Sequence, residues 1–356
     1  MSGQTEARLG IRIQAPSLSD PQRESFIADA KSVHAVLDDL RSRLLIPATD
    51  LELVVTDDFT ATVRASQADS EEPFDVERPF GLVSAKNLPQ DDKSARVVIV
   101  FDARAWSGLN VAKGQDRWRA LGLIAHELAH PILTRARWAS GVLEGVAYPS
   151  HTPTELARSI SRIGSDEYRA DAIADIVLKT TTTKTVDGVS SPALIWDVMG
   201  QDYREGMRDL FRGLYPQLPD LVQAYRERRL DLEPMWREIV RQSEGIVTAF
   251  MHARAYADAA DDIPLLDADE IRHLPAVTLY LADTMPPYIE AVRTGPMLAP
   301  LPEFAALDAR VIRAGEGMLR EIWRRLGLTF TEVPGSRNYE IHVAEPFRWD
   351  GSESQR

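Results

Sequence analysis

Two histidines and one glutamate, spaced as within a single helical turn, are the residues of this sequence best suited to chemistry. They lie in the stretch 121–130, which reads LGLIAHELAH. Residues i and i+4 of an α-helix share one face, so His126 and His130 can present ring nitrogens to one Zn²⁺. Glu127 lies beside them and could take a proton from water activated by that metal. The stretch therefore predicts a hydrolytic metal centre with Glu127 as general base.

The residues around this motif predict a buried helix that a second helix approaches closely. Small residues occupy or flank the histidine face, namely Gly122, Ala125 and Ala129, and the remaining positions are apolar nearly all round. The alternative is an ordinary core helix in which both histidines form hydrogen bonds. Pro131 is expected to kink or end the helix, because its ring should clash with the carbonyl of Glu127.

Two histidines leave a zinc site one protein ligand short. The acidic candidates that follow are Glu144, Glu155, Glu167, Asp171 and Asp175. Glu167 is the best of them, because it begins a predicted helix with Ser165 as its N-cap, after Gly164 has ended the previous element.

The face of this second helix combines two carboxylates with two alanines. These residues are Glu167, Ala170, Asp171 and Ala174. Glu167 is predicted to bind zinc, and Asp171, one turn later, to accept the second ring N–H of a histidine ligand and so fix its tautomer. The alternative is that the acids form a solvated face with Arg169.

The motif His126-Glu127-x-x-His130, followed by Glu167-x-x-Ala170-Asp171, resembles that of the gluzincin metallopeptidases. In that clan the glutamate ligand lies on a second helix, with an aspartate four residues later. The E-x-x-A-D form looks most like the HtpX/CAAX-endopeptidase and ImmA/IrrE groups. The resemblance covers about the middle third of the chain. It implies a zinc-dependent peptidase that holds one Zn²⁺ per chain.

Peptide hydrolysis also needs a donor for the oxyanion that forms on the attacked carbonyl. Gluzincins commonly use a Tyr or His beyond the third ligand, and His252 and Tyr256 lie four residues apart on one predicted helical face. They are the candidate donors. A packed or surface pair is the alternative.

Composition limits the classes of partner. A net charge of −13 and a pI near 5.1 argue against nucleic-acid or anionic-membrane surfaces. The absence of cysteine excludes disulfides and thiolate metal sites. No apolar run could span a bilayer and no signal peptide is visible, so a cytoplasmic protein is expected. The expected partner is a protein or peptide substrate, and nothing in the sequence indicates an oligomeric state.

The expected fold class is α+β. A zincin-like core with a small mixed sheet and active-site helices is predicted over residues 21–180, after a flexible arm over 1–20. The region 193–356 is expected to be mainly helical.

Several elements of the core can be predicted individually. A helix is predicted over 21–45. Strands over 51–56 and 60–65 are expected to form a hairpin around Asp57 and Asp58. The strongest strand signal covers 95–101. In gluzincin-like folds such a strand lies at the cleft edge, where a peptide can add as an extended strand, and a buried core strand is the alternative.

Other elements flank the zinc helices. Another strand is predicted over 80–83. A capping box over 152–155 opens a helix expected to end near Gly164, which with Tyr148 and His151 would roof the cleft. The later predictions are helices over 203–215, 219–228, 233–260, 268–283 and 302–326, and a hairpin of 328–333 with 339–343 around Pro334 and Gly335.

Three rival functions fit the same residues. The first is a zinc-stabilised zincin scaffold that binds partners without turnover. The second is a regulator that cleaves one specific partner, and the third is a zinc hydrolase acting on a non-peptide amide.

Overall fold

The structure is a computed structural model, and it describes part of the chain. The described residues are 8–67, 77–78, 81–82, 85–91, 93–107, 114–143, 152–186, 189–260, 271–294, 300–333 and 338–347. Tyr148, His151, Pro334 and Gly335 lie outside them, as do residues 80 and 83.

Helices account for most of the described residues. The α-helices are α1 (Asp20–Arg43), α2 (Phe59–Ser66), α3 (Arg104–Ser107), α4 (Gly114–Ala139), α5 (Pro153–Thr181), α6 (Gln201–Arg226), α7 (Leu232–Ala259), α8 (Met285–Arg293) and α9 (Leu301–Arg325). Two π-helical segments are Trp196–Gly200 and Val277–Leu281. The strands are β1 (Leu9–Gln14), β2 (Asp50–Thr56), β3 (Glu77–Arg78), β4 (Gly81–Leu82), β5 (Ala85–Pro89), β6 (Arg96–Asp102), β7 (Lys184–Val186), β8 (Val189–Ser191), β9 (Leu328–Glu332) and β10 (Tyr339–Val343).

The main sheet is small and mixed, which confirms the α+β class. Its strand order is β1-β2-β6-β5, with β1, β2 and β6 parallel and β5 antiparallel to β6. The cleft-edge position predicted for residues 95–101 is wrong, because β6 lies between β2 and β5 and is largely buried. The strand at that edge of the described sheet is β5.

Two further expectations for the N-terminal part are corrected. Residues 9–14, expected in a flexible arm, form β1, because each can pair in parallel with β2. The strand predicted over 60–65, and with it the hairpin, is replaced by α2. Asp58 accepts a hydrogen bond from the backbone N–H of Ala61 at 3.2 Å and so caps the helix. Phe59 and Val63, one turn apart, are buried.

Helix α4 does not end at Pro131. It continues to Ala139, with Pro131 inside. Proline removes one backbone hydrogen bond from the helix. The residues after it, including Ile132, Leu133 and Ala136, are buried, and their packing keeps the chain helical beyond Pro131.

The break predicted at Gly164 is also absent, because α5 is one helix through this position. A Cβ atom built on Gly164 would lie 2.4 Å from Cγ1 of Val247 on α7 and 3.0 Å from the Tyr288 hydroxyl on α8. The lack of a side chain at Gly164 therefore lets α5 pack closely against α7 and α8. Ser165, predicted as an N-cap, is instead buried inside the helix.

The mainly helical character predicted for the region after residue 193 is confirmed, as are the hairpin strands β9 and β10. The single helix predicted over 268–283 is wrong, because its described residues form turns around the π-helical segment Val277–Leu281. The helices predicted over 203–215 and 219–228 form α6, with non-helical backbone at Tyr215. None of the helices in the described ranges is long and apolar enough to cross a membrane.

The chain divides into two compact units, each built from separated segments. Unit 1 comprises Met1–Glu144, Arg169–Gly200 and Met297–Ala305, and contains the sheet. Its core includes Phe26, Phe101 and Trp106, whose ring centroids lie 5.3–5.5 Å apart.

Unit 2 comprises Gly145–Tyr168, Gln201–Pro296 and Ala306–Arg356. Its core includes Trp236 and Trp323, with centroids 4.9 Å apart, and the Trp323 indole N–H donates to the Ser243 hydroxyl at 3.0 Å.

Candidate metal centre

Helices α4 and α5 carry the residues predicted to bind metal. A Cβ atom built on Gly122 of α4 would lie 3.7 Å from Cδ1 of Leu178 on α5, so the two helices touch where the sequence has a small residue. Further small residues on the predicted contact faces are fully buried: Ala125, Ala129, Ala170 and Ala174. The small residues allow the polar side chains between them to meet.

The ring of His126 is fixed by Asp171. Its Nδ1 lies 2.7 Å from Oδ1 of Asp171, and both residues are buried. A neutral imidazole that donates from Nδ1 keeps its lone pair on Nε2. In this tautomer Nε2 of His126 is the ring nitrogen that could bind a metal ion.

His130 brings a second nitrogen to the same place. Its Nε2 lies 3.0 Å from Nε2 of His126, and the two rings meet edge to face with centroids 4.7 Å apart. Two nitrogens bound to one tetrahedral zinc at about 2.0–2.1 Å would be about 3.3–3.4 Å apart. The observed 3.0 Å is shorter than that spacing and is also a hydrogen-bond distance, so the two nitrogens converge as the metal site needs and as the alternative of hydrogen-bonded histidines also allows.

Glu167 and His252 also carry side chains of the kinds that bind metal ions, and they lie close together. Nε2 of His252 lies 3.4 Å from Oε2 of Glu167. His252, which was predicted only as an oxyanion donor, thus lies beside Glu167, and the meeting of Glu167 with His126 and His130 stays a prediction.

Tyr256, the other predicted donor, lies one turn after His252 on α7. The two rings stack with centroids 6.2 Å apart at an interplanar angle of 30°, and Tyr256 is buried. The pair does share one helical face.

The other acidic candidates have structural partners. Glu155 accepts from the backbone N–H of Thr152 at 3.0 Å, which confirms the capping box. Asp175 accepts from the backbone N–H of Ile195 at 3.0 Å and pairs with Lys179 at 2.5 Å. Glu144 lies outside the described residues.

The alternative of a solvated acidic face is wrong. Arg169 is buried, and its guanidinium lies over the ring of Phe304, 5.5 Å from the centroid. Asp171 is 1% exposed. This part of α5 is core, because buried alanines surround its charged groups.

Glu127 is held by a residue that the sequence did not single out. Nδ2 of Asn87, on β5, donates to Oε2 of Glu127 at 2.8 Å. Oδ1 of Asn87 is buried and has no hydrogen-bond partner within the described part of the chain. The one sequence signal that could have pointed to Asn87 is that asparagine is an unfavourable residue in strands.

The residue after Glu167 attaches α5 to α7. The Tyr168 hydroxyl donates to Oδ2 of Asp258 at 2.7 Å. Burial raises the pKa of Tyr168 well above its ordinary value, and the Asp258 carboxylate adds to the shift, so the hydroxyl keeps its proton. Arg254 and Arg293 neutralise Asp258 at 2.5 Å and 3.2 Å.

The donor set fits a first-row transition metal. Imidazole nitrogens and one carboxylate are the ligands that zinc accepts in hydrolytic sites, and the chain has no cysteine to compete. The arrangement could bind a metal ion and hold a carboxylate, Glu127, beside its histidine ligands.

Comparisons with known proteins assign no family. No protein-family model, no curated protein and no solved structure matches this chain. The geometry of the site is therefore the basis for a functional proposal.

Proposed function

We propose that this protein is a zinc-dependent peptidase of the gluzincin type. His126, His130 and Glu167 would hold the metal, and Glu127 would act as general base. The single observation that carries the proposal is the His126 ring, whose Nδ1 lies 2.7 Å from Asp171 and whose Nε2 lies 3.0 Å from Nε2 of His130. A carboxylate that accepts the second ring N–H of a histidine ligand, as Asp171 would here, is typical of histidine-ligated metal sites.

The protein residues have defined parts in this reaction. Zinc, when bound, lowers the pKa of water and polarises the scissile carbonyl. Glu127, oriented by Asn87 at 2.8 Å, would accept the proton from the attacking water and deliver it to the departing amine. The oxyanion donor stays a prediction for Tyr256 or His252.

The substrate proposed is a peptide in extended conformation. β5 is an edge strand of the described sheet, and such an edge can pair with a peptide backbone. Asn87 places the same strand beside Glu127, and its buried Oδ1 could accept an N–H from a bound peptide. These contacts support a peptide over a small amide.

The proposal is tested by hydrolysis of a mixed peptide library, with purified wild type and Glu127→Gln both loaded with zinc. Wild type should cleave peptides, and Glu127→Gln should lose at least about a hundredfold in rate, as expected for loss of a general base. Glu155→Gln is the matched control, because glutamine also serves in a capping box. Equal rates for wild type and Glu127→Gln would contradict the proposal.

One observation favours a second function, a zinc-stabilised binding protein without turnover. His252 lies 3.4 Å from Glu167, so a site with four protein ligands would have no open position for substrate. In that case Glu127→Gln would retain zinc and the biological function.

A further inference from the structure

We propose that the main chain of Asn87 and the missing backbone N–H of Pro89 together set the register in which a peptide binds to β5. This inference rests on the proposed peptide substrate and names the residues that position it. The elements that carry the inference, α2, α4, β5 and β6, all belong to unit 1.

The hydrogen bonding between β5 and β6 fixes the direction in which each residue of β5 turns its main-chain groups. The N–H of Gln90, directly after β5, donates to the C=O of Arg96 at 2.9 Å, and the register of the two strands places these residues opposite each other. In an antiparallel pair of strands, every second pair of opposite residues is hydrogen-bonded. Lys86 and Leu88 therefore turn their N–H and C=O groups toward β6.

The side of β5 that faces away from β6 carries the main-chain groups of Ala85, Asn87 and Pro89. In the described sheet no strand pairs with this side. Ala85 and Asn87 each present one N–H and one C=O there, whereas Pro89 presents a C=O alone, because proline has no backbone N–H. The edge therefore offers two complete pairing positions and then an incomplete one.

Asn87 connects this edge to the proposed general base. Its side chain donates to Glu127 on α4 at 2.8 Å, and its main chain faces the edge. The side chain of Leu88, the next residue, points to the opposite face and lies in a buried cluster with residues of α2 and β6. The strand is thus held from both faces, and a peptide residue paired with the Asn87 main chain would lie beside Glu127.

Pro89 limits how far such pairing extends. Proline is tolerated at the edge of a sheet when its nitrogen faces away from the neighbouring strand, and it discourages further pairing on that side. A peptide shifted along β5 toward Pro89 would lack one hydrogen-bond donor, which should weaken its binding by about two- to tenfold. The register that uses Asn87 and Ala85 is therefore favoured.

Hydrogen exchange of individual backbone amides, followed by NMR on the full-length Glu127→Gln variant with zinc present, tests this inference. The probe is a mixed library of unstructured decapeptides, which this variant should bind without cleaving. Before the library is added, the amides of Lys86 and Leu88 should exchange slowly and that of Asn87 quickly. Once most of the protein carries peptide, exchange at Asn87 should slow by roughly tenfold, and the other two amides should keep their rates.

Pro89→Ala, made in the Glu127→Gln background, supplies the missing N–H. It should raise the affinity for the fluorescently labelled library by about two- to tenfold, as expected for one added backbone hydrogen bond. Fluorescence anisotropy measures this affinity. Gln90→Ala is the matched control, because the main chain of Gln90 is already bonded to β6, and it should leave the affinity unchanged.

The outcomes separate this inference from the proposed function. Unchanged exchange at Asn87 in the presence of the library would overturn the inference even if wild type hydrolyses peptides, and this measurement does not depend on whether Pro89→Ala folds. An affinity that Pro89→Ala leaves unchanged would overturn the role of Pro89. Slower exchange at Asn87, combined with equal hydrolysis by wild type and Glu127→Gln, would support this inference and overturn the peptidase.

Discussion

The Nδ1 atom of His126 lies 2.7 Å from Oδ1 of Asp171, between two helices whose small residues let them touch. Asp171 is 1% exposed, so its charge would be costly without a partner. The imidazole supplies that partner and in return has its tautomer fixed. The orientation of His126, the proposed metal ligand, is thus set within the core of the protein.

Asp171→Asn should weaken zinc binding by about 10–100-fold, because the neutral amide no longer increases the basicity of the His126 ring. Competition with a chromophoric chelator measures this affinity. Asp175→Asn, one turn later on α5, is the control and should bind zinc as wild type does. Equal affinities for Asp171→Asn and wild type would show that the contact does not tune the metal.

Asn87→Leu should slow peptide hydrolysis by about 10–100-fold while zinc content stays unchanged. The substitution removes the hydrogen bond by which Asn87 orients the Glu127 carboxylate. A hydrogen bond to a charged group contributes about 1.5–3 kcal/mol. Steady-state kinetics should place the loss in kcat rather than KM. Gln90→Ala, beside β5, serves as the control, and a loss confined to KM would mean that Asn87 acts on substrate binding alone.

Gly164→Ala should destabilise the protein by about 1–3 kcal/mol, because its Cβ would overlap Cγ1 of Val247 at 2.4 Å. Thermal unfolding detects this change. Gly317→Ala on α9 is the matched control: nothing lies within 4 Å of its Cβ, so the alanine should be neutral or stabilise the helix by up to about 1 kcal/mol. A neutral Gly164→Ala would show that α5 and α7 can separate without cost.

Glu321→Gln should lower the free energy of unfolding by about 0.5 kcal/mol at pH 7, and by less at pH 3. Hydrogen bonds from Arg324 and Arg325 lower the pKa of Glu321 from 4.5 to about 2 in the folded protein. The stabilisation is therefore complete above the unfolded value and is lost as the pH falls toward 2.

Urea unfolding of wild type and Glu321→Gln at both pH values measures this difference. Glu290→Gln, which removes an exposed glutamate from α8, should change little at either pH. A gap between wild type and Glu321→Gln that widens at pH 3 would contradict the assigned ion pair.

Local spacing in the sequence was enough to predict that Asp171 meets a histidine of the motif, because both helices have an interpretable apolar and small-residue pattern, and the structure shows that this histidine is His126. The same reasoning failed at Gly164, since glycine marks a helix end and a close helix contact equally well. It also failed at residues 60–65, where the cap at Asp58 outweighed β-branched residues.

Relationships between distant segments were beyond sequence reasoning. The approach of His252 to Glu167 depends on how α7 crosses α5, and no periodicity within either helix specifies that crossing. Asn87 reaches Glu127 only because β5 pairs antiparallel with β6 and becomes an edge strand. Each is a consequence of tertiary structure rather than of local pattern.

The most direct test of the central claim is the zinc content of purified protein by elemental analysis. Wild type and Glu127→Gln should each contain about one zinc per chain, as for a single site, and His126→Ala and Glu167→Ala should contain almost none. Zinc that is absent from wild type after metal-replete purification, or retained in both ligand variants, would contradict the account.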